Sequence, residues 1–212
     1  MDKDFFIIVC IGDSLTAGYR AKDPYAFDRR IPYPAQLESL VRRWLSEKRS
    51  TLQAFVLNVG VNGDSTDGML SRFDSNVALE KPEAVVIWGG INDLFIGRSP
   101  QSVVDNLIRI CDKCIGIGSR PVLCSLSHSR SYLTISERVN ETNRLLKHYC
   151  KVKGVVYVDI NSAISDNDGR LQGKYSDDGT HLSALGYSEV AKAIFKVIVP
   201  FLKYCIGDQY SL

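Results

Sequence analysis

The sequence has no long apolar run and no excess of charge of one sign. No stretch of about 18 or more apolar residues occurs, so no membrane-spanning helix is expected. Lys plus Arg is 26 and Asp plus Glu is 24, a net charge of +2, which gives no indication of a nucleic-acid or polybasic membrane partner. A hydrophobic fraction of 45% and a charged fraction of 24% exclude disordered, collagen-like and coiled-coil chains.

Nucleotide-binding motifs are also missing. No Gly-x-Gly-x-x-Gly follows an apolar run, and there is no P-loop sequence, so no nucleotide site is expected. Six cysteines in 212 residues are far too sparse for a disulfide scaffold. Cys111 and Cys114 form a Cys-x-x-Cys, but it lacks a second ligand pair and a preceding strand, so both are predicted to pack in the core. The sequence therefore predicts no metal and no cofactor.

The amino-terminal segment lacks the features of a secretory signal. Residues Met1–Asp4 carry no basic cluster, and the apolar run Phe5–Ile11 leads into Gly12-Asp13-Ser14 rather than a small-residue cleavage site. This run is predicted to be the first strand. The chain is expected to be cytoplasmic, with mostly reduced thiols.

Short apolar runs alternate with amphipathic stretches along the whole chain. The runs predicted as strands are Phe5–Ile11, Ala54–Asn58, Ala84–Trp88, Pro121–Leu126 and Val155–Ile160. The stretches predicted as helices are Tyr33–Lys48, Ser65–Leu79, Pro100–Ile117, Ser136–Lys153 and Ser183–Tyr204. Ser183 is expected to cap the last helix, and Pro200 to break or kink it. This alternation favours one domain over residues 1–212, a three-layer α/β/α sandwich with a five-stranded parallel sheet.

Polar residues follow the predicted strands at the points where they end. Ser14 follows the first strand, Gly63 the second and Asn92 the third, while Asp178 and His181 precede the last helix. Because the carboxyl ends of parallel strands share one edge of a sheet, these residues are expected to meet there.

The residue types at this edge suit nucleophilic catalysis. A serine hydroxyl such as that of Ser14 needs an adjacent base, which His181 could provide, and a carboxylate such as Asp178 would orient that histidine. The Ser14 and Gly63 backbone N–H groups and the Asn92 amide could stabilise a developing oxyanion.

The blocks that contain these residues resemble those of the SGNH hydrolases, also called the GDSL esterase/lipase family. They occur in order over nearly the full chain: Ile11–Gly18 with Tyr33–Leu37, Asn58–Ser65, Gly90–Asp93, and Asp178–His181 with Leu182–Tyr187. The Gly-x-Ser-x-Gly elbow of α/β-hydrolases is absent, because Thr16 stands where its second glycine would be.

The resemblance implies the flavodoxin-like SGNH fold and a serine ester hydrolase. In it Ser14 would be the nucleophile, His181 the base and Asp178 its orienting acid. The oxyanion donors would be Ser14, Gly63 and Asn92, and no member of the Ser/Gly/Asn/His quartet is missing.

Several questions stay open at this stage. The expected substrate is a small ester, preferably with a short acyl or acetyl group; alternatives are a carbohydrate O-acetylester, a lysophospholipid or a thioester. A catalytically silent binding module is the alternative of another class. Asn62 and His128 are candidate substrate contacts, and the loop Arg20–Arg30 is either a solvated loop or a wall of the cleft. Asp93 is expected to be structural and Asp177 to be a solvated loop charge. The oligomeric state is not predicted.

Overall fold

A computed structural model of the chain describes residues 4–23 and 28–207. Its strands are β1 (Phe5–Gly12), β2 (Gln53–Gly60), β3 (Ala84–Trp88), β4 (Arg120–Cys124) and β5 (Val156–Val158). The longer helices are α2 (Tyr33–Glu47), α6 (Pro100–Gly116), α7 (Ser136–Lys153) and α9 (Ala184–Cys205). The shorter helices are α1 (Ser14–Ala17), α3 (Thr66–Ser71), α4 (Phe73–Asn76), α5 (Ile91–Phe95) and α8 (Ile160–Ile164). Single 3₁₀ turns lie at Ala78–Glu80, Leu133–Ile135 and Gly173–Tyr175.

The five strands form one parallel sheet in the order β2-β1-β3-β4-β5. This is the flavodoxin-like order. β2 lies on one side of β1, and β3, β4 and β5 follow one another on the other side. In the register, Ile8 of β1 lies between Val56 of β2 and Ala84 of β3. The predicted fold class is confirmed.

Both faces of the sheet are covered by apolar side chains. Successive residues of β1 point to opposite faces, so Ile8 packs in the cluster with α2 and α9, while Val9 packs in the cluster with α6 and α7. All five residues of β3 are buried. The continuous apolar strands arise from this double coverage, as expected for a parallel sheet.

The cysteines lie where core packing predicts. Cys111 and Cys114 are fully buried between α6 and its neighbours, and Cys10, Cys124 and Cys150 are buried as well, while Cys205 is half-buried. Burial raises the pKa of the Cys114 thiol to about 12, so this thiol stays protonated at neutral pH.

One helix prediction is wrong. The stretch 65–79 is not one helix but α3, α4 and a 3₁₀ turn, broken at Arg72, whose side chain reaches back to the ends of β1 and β2. The last predicted helix is confirmed as α9, and it is not broken at Pro200 but continues to Cys205. A proline removes one helical hydrogen bond, and here Ile198 and Leu202 on either side are fully buried and hold the helix against the core.

The short helices α1, α5 and α8 were not predicted, and the other deviations are at element ends. β4 stops at Cys124. β5 spans only three residues, because Asp159 after it caps α8 by accepting a hydrogen bond from the Ser162 N–H at 3.0 Å. Ser183 caps α9 as predicted, accepting from the Gly186 N–H at 3.2 Å. No helix in the described part of the chain combines the length and the apolarity needed to cross a bilayer.

Replacing the central residue Ile8 tests this core. Ile8 is fully buried, so Ile8→Ala should lower the free energy of unfolding by about 2–5 kcal/mol, through lost burial and the cavity that remains. Leu79 is 74% exposed, and Leu79→Ala should change it by less than about 0.5 kcal/mol. Urea denaturation of both variants measures the difference; equal effects would contradict the assigned core.

Candidate active site

Ser14 lies directly after β1, as the first residue of α1. The Asp13 carboxylate caps this helix by accepting a hydrogen bond from the Leu15 N–H at 2.9 Å. The backbone turns tightly here, since a Cβ on Gly12 would lie 2.1 Å from the Trp88 carbonyl oxygen. Only glycine allows this approach, which places Ser14 at the rim between β1 and β3.

His181 and Asp178 are in direct contact. The His181 Nδ1 atom lies 2.7 Å from Asp178 Oδ2, and Asp178 Oδ1 accepts from the backbone N–H groups of His181 and Thr180, at 2.7 and 2.9 Å. Burial alone would raise the pKa of this carboxyl, but the three hydrogen bonds outweigh burial and lower it. Asp178 therefore stays ionised, and His181 Nε2 is the ring nitrogen left to accept a proton.

The turn that carries this pair is fastened to the segment after β4. Ser131 Oγ donates to the Asp178 carbonyl oxygen at 2.5 Å, and the Arg130 N–H donates to the Gly179 carbonyl oxygen at 2.7 Å. Gly179 has a φ of +85°, and a Cβ there would lie 2.2 Å from Ser131 Oγ. Glycine is therefore required for the compact turn that aims Asp178 and His181 at each other.

Tyr19 links the serine segment to the histidine. Its ring packs edge-on against His181 with the centroids 4.5 Å apart, and its N–H donates to the Ser14 carbonyl oxygen at 3.0 Å. Tyr187 Oη donates to the Tyr19 carbonyl oxygen at 2.9 Å. The structure thus brings the Ser14 and His181 segments together through Tyr19.

Asp64, which follows Gly63 in the sequence, connects this glycine to the side chain of Asn92. Asn92 Nδ2 donates to the Asp64 carbonyl oxygen at 2.9 Å, which places the amide beside the turn at Gly63. Gly63 is exposed with a φ of +74°. Asp93 is fully buried and accepts from the Thr66 N–H and Oγ1–H, both at 2.9 Å, so it is structural, as expected.

Arg72 binds the ends of two strands. Its guanidinium donates to the carbonyl oxygens of Gly12 at 3.0 Å and Val59 at 2.6 Å, and to the Asp64 carboxylate at 2.8 Å. These contacts hold the Ser14 and Gly63 segments at a fixed spacing. Sequence reasoning missed Arg72, because nothing distinguishes it from the other polar residues of an amphipathic stretch.

The two candidate substrate contacts lie apart from each other. His128 is 6% exposed, its Nε2 lies 2.8 Å from Asn140 Oδ1, and its N–H donates to Asn161 Oδ1, so it is held inside the protein. Asn62 is exposed beside Gly63. Both assignments stay predictions, and the structure favours Asn62.

A cavity of about 760 Å³ adjoins the site at Tyr19 and Asn62. Charged side chains of both signs line it, namely Arg20, Asp23, Asp28, Arg29, Arg30 and Glu38. Ser14, Asn92 and His181 are not among the described residues that form its walls. The described residues of the loop Arg20–Arg30 therefore line this cavity, and their role as a wall of the substrate cleft stays a prediction; residues 24–27 lie outside the described residues.

The expectation for Asp177 is wrong. Its side chain is only 9% exposed and lies 3.9 Å from the guanidinium of Arg20, the residue after Tyr19. Within the described residues, no group of three or more His, Cys, Asp or Glu side chains could hold a metal ion.

The parallel α/β/α sandwich thus carries Ser14, the His181–Asp178 pair and the Asn92 amide on segments that follow or adjoin its carboxyl edge. The chain belongs to the GDSL-like lipase/acylhydrolase family, whose profile matches residues 10–188. The implied family is thereby confirmed.

Individual relatives are distant. The chain is 25% identical to Esterase TesA of Pseudomonas aeruginosa over 151 residues, 69% of this chain and 71% of that protein. It is 25% identical to the platelet-activating factor acetylhydrolase IB subunit alpha1 of Rattus norvegicus over 160 residues, 74% of this chain and 68% of the relative. A mutant of Axe2, an acetyl-xylooligosaccharide esterase from Geobacillus, shares the fold with a TM-score of 0.75 at 19% identity, covering 91% of this chain and 94% of that one.

The buried Asp13 predicts a pH dependence of stability. Burial raises the pKa of its carboxyl to about 7, the Leu15 N–H opposes this shift, and Asp64 and Asp93 add to it. An unfolded aspartate titrates at about 3.9, so the folded state binds more protons between these values. The free energy of unfolding should therefore fall as pH rises across this range, by at most about 1.4 kcal/mol per pH unit from this group.

Denaturation of wild type and Asp13→Asn between pH 4 and 8 measures this contribution (roughly the range set by the two pKa values). The variant should show a flatter profile. Parallel profiles would mean that Asp13 is ionised in the folded protein throughout.

Proposed function

We propose that the chain is a serine esterase that hydrolyses carboxylic esters through an acyl-enzyme on Ser14. The observation that carries the proposal is the His181–Asp178 contact at 2.7 Å, with Tyr19 joining that histidine to the Ser14 segment. A carboxylate on Nδ1 sets the histidine tautomer in which Nε2 is basic, which a serine nucleophile requires. An intact pair of this kind also argues against a silent binding module.

In the first half of the proposed reaction, Ser14 Oγ attacks the ester carbonyl carbon as its proton passes to His181 Nε2. The C–O bond that forms gives a tetrahedral intermediate, and Asp178 stabilises the imidazolium. Collapse of the intermediate breaks the bond to the leaving oxygen, and His181 returns the proton to it. The products are the free alcohol and an ester on Ser14.

In the second half, water replaces the alcohol. The oxygen of the water attacks the acyl carbon while His181 takes a proton from that water. His181 then gives a proton to Ser14 Oγ as the acyl–serine bond breaks. The acid leaves and the serine hydroxyl is restored. The two halves together consume one ester and one water molecule, and they need no other reactant.

The oxyanion of both intermediates is assigned to the N–H groups of Ser14 and Gly63 and to the Asn92 amide. Asn92 Nδ2 gives one of its two hydrogens to the Asp64 carbonyl oxygen, which orients the amide and leaves the second hydrogen for the substrate. Gly63 is exposed and a Cβ on it would meet nothing within 4 Å, so this turn has open space around it.

Short acyl or acetyl esters are the proposed substrates. Two of the relatives are named for acetyl groups, one as an acetylhydrolase and one as an acetyl-xylooligosaccharide esterase. Carbohydrate O-acetylesters, lysophospholipids and thioesters remain alternatives on the same site. A panel of p-nitrophenyl esters of increasing chain length, with acetylated sugars and an acyl thioester, separates them.

Removal of the nucleophile is the direct test. A serine-directed phosphonate should add one adduct to the wild type and none to Ser14→Ala, because the label needs an activated hydroxyl. Hydrolysis of p-nitrophenyl acetate should be lost in the same variant. Labelling of Ser14→Ala, or the absence of any label and any hydrolysis in the wild type, would overturn the proposal.

Removal of an oxyanion donor tests the second part of the site. Asn92→Ala should lower kcat by about 100- to 1,000-fold with a smaller change in KM, because the lost hydrogen bond matters most in the transition state. Asn76→Ala, at the end of the distant helix α4, is the matched control and should keep wild-type kinetics. Wild-type kcat in a folded Asn92→Ala would remove this residue from the proposed mechanism.

A further inference from the structure

Two partly buried charges, Arg20 and Asp177, face each other next to the residues that contact the proposed catalytic histidine. Arg20 Nε lies 3.9 Å from Asp177 Oδ2, and the two side chains are 21% and 9% exposed. Both atoms are buried without a hydrogen-bond partner. The other ion pair of this loop differs, since Arg30 is 90% exposed where it meets Asp28.

Burial of this pair has a physical consequence. Partial burial of a charge costs free energy that an opposite charge or hydrogen bonds offset, and here the two facing atoms have each other as ionic partners and no hydrogen bond. Loss of one charge would leave the facing atom of the other buried without this compensation, so that side chain would move towards water and carry its backbone segment along. The pair therefore constrains the positions of two loops.

Both of these loops carry a residue that contacts the His181 ring. Arg20 follows Tyr19, whose ring lies against His181, and Asp177 precedes Asp178, whose carboxylate contacts His181 Nδ1. Tyr187 fastens the tyrosine side by its hydrogen bond to the Tyr19 carbonyl oxygen. A shift of either loop would rotate the imidazole or open its contact with Tyr19.

We propose that Arg20 and Asp177 are positioning residues, which clamp Tyr19 and Asp178 around His181 and so keep Nε2 aligned with Ser14. The inference rests on the proposed function for its catalytic consequence. It extends that function to residues that touch neither the reacting atoms nor the oxyanion donors. Small displacements of a catalytic group reduce turnover more than substrate binding.

Kinetics of Arg20→Met, Asp177→Asn and the double variant test the clamp. Each single change should lower kcat by about 10- to 100-fold while KM stays within about 3-fold, because alignment and not binding is lost. The double variant should be no worse than the poorer single variant, since no uncompensated charge remains. Arg20→Lys keeps the charge and should recover part of kcat. Lys192→Met removes an exposed ion pair on α9 and is the matched control.

A second measurement reads the position of His181 without reference to activity. The chain has three histidines, and the imidazole proton signals of His181 are assigned by their loss in His181→Gln. The ring current of Tyr19 shifts these signals, so Arg20→Met and Asp177→Asn should move them in the same direction as Tyr19→Leu. Thermal melts confirm that each variant is folded, and Asp177→Asn carries the test if Arg20→Met does not fold.

The outcomes separate the two proposals. Unchanged His181 signals and wild-type kcat in the folded single variants overturn the clamp while Ser14-dependent hydrolysis stands. A raised KM with unchanged kcat also overturns it, because Arg20 would then bind substrate. Shifted signals in a protein without Ser14-dependent hydrolysis uphold the clamp and reject the proposed function.

Discussion

The guanidinium of Arg72 occupies the junction where β1 and β2 end, and the geometry of the rim depends on it. Its three hydrogen bonds reach the Gly12 and Val59 carbonyl oxygens and the Asp64 carboxylate. Strand ends leave carbonyl groups without sheet partners, and a five-donor planar group satisfies several at once. The segment that starts at Ser14 and the turn at Gly63 are thereby fixed relative to each other. The Asn92 amide is then set by a hydrogen bond to the Asp64 carbonyl oxygen.

The same rim concentrates buried charge. Asp13 and Asp93 are nearly inaccessible to solvent, and the side chain of Asp177 is 9% exposed. Their partners differ: Asp93 accepts two hydrogen bonds from Thr66, Asp177 faces Arg20, and Asp13 has one carboxylate oxygen without a partner. Elsewhere the interior is filled by two apolar clusters on the faces of the sheet. The carboxyl groups whose burial costs free energy therefore lie at the rim where the proposed reaction takes place. The apolar layers supply the stability that offsets this cost.

The differences between expectation and structure have identifiable causes. Residues 65–79 have helical periodicity, yet the helix breaks at Arg72 because that side chain has tertiary partners on two strands. Pro200 has a poor local helix propensity, but burial of Ile198 and Leu202 outweighs one lost hydrogen bond. Asp177 stands in a polar loop segment, which predicts a solvent-exposed charge. Its side chain is nevertheless only 9% exposed, because it meets Arg20, which is more than 150 residues away in the sequence. In each case a contact distant along the chain overrides a local preference.

The sequence by itself determined the layers, the five strands and the identity of the residues expected at the rim. Apolar periodicity reports burial of each element, and the ordered blocks from Gly12 to His181 point to one carboxyl edge. The spacing of Asp178 and His181 also predicted their contact, whereas only the tertiary structure decided that Tyr19 lies on that histidine and that Arg72 joins two strand ends. Local patterns describe what one segment buries, whereas side-chain partners depend on how segments from separate parts of the chain meet.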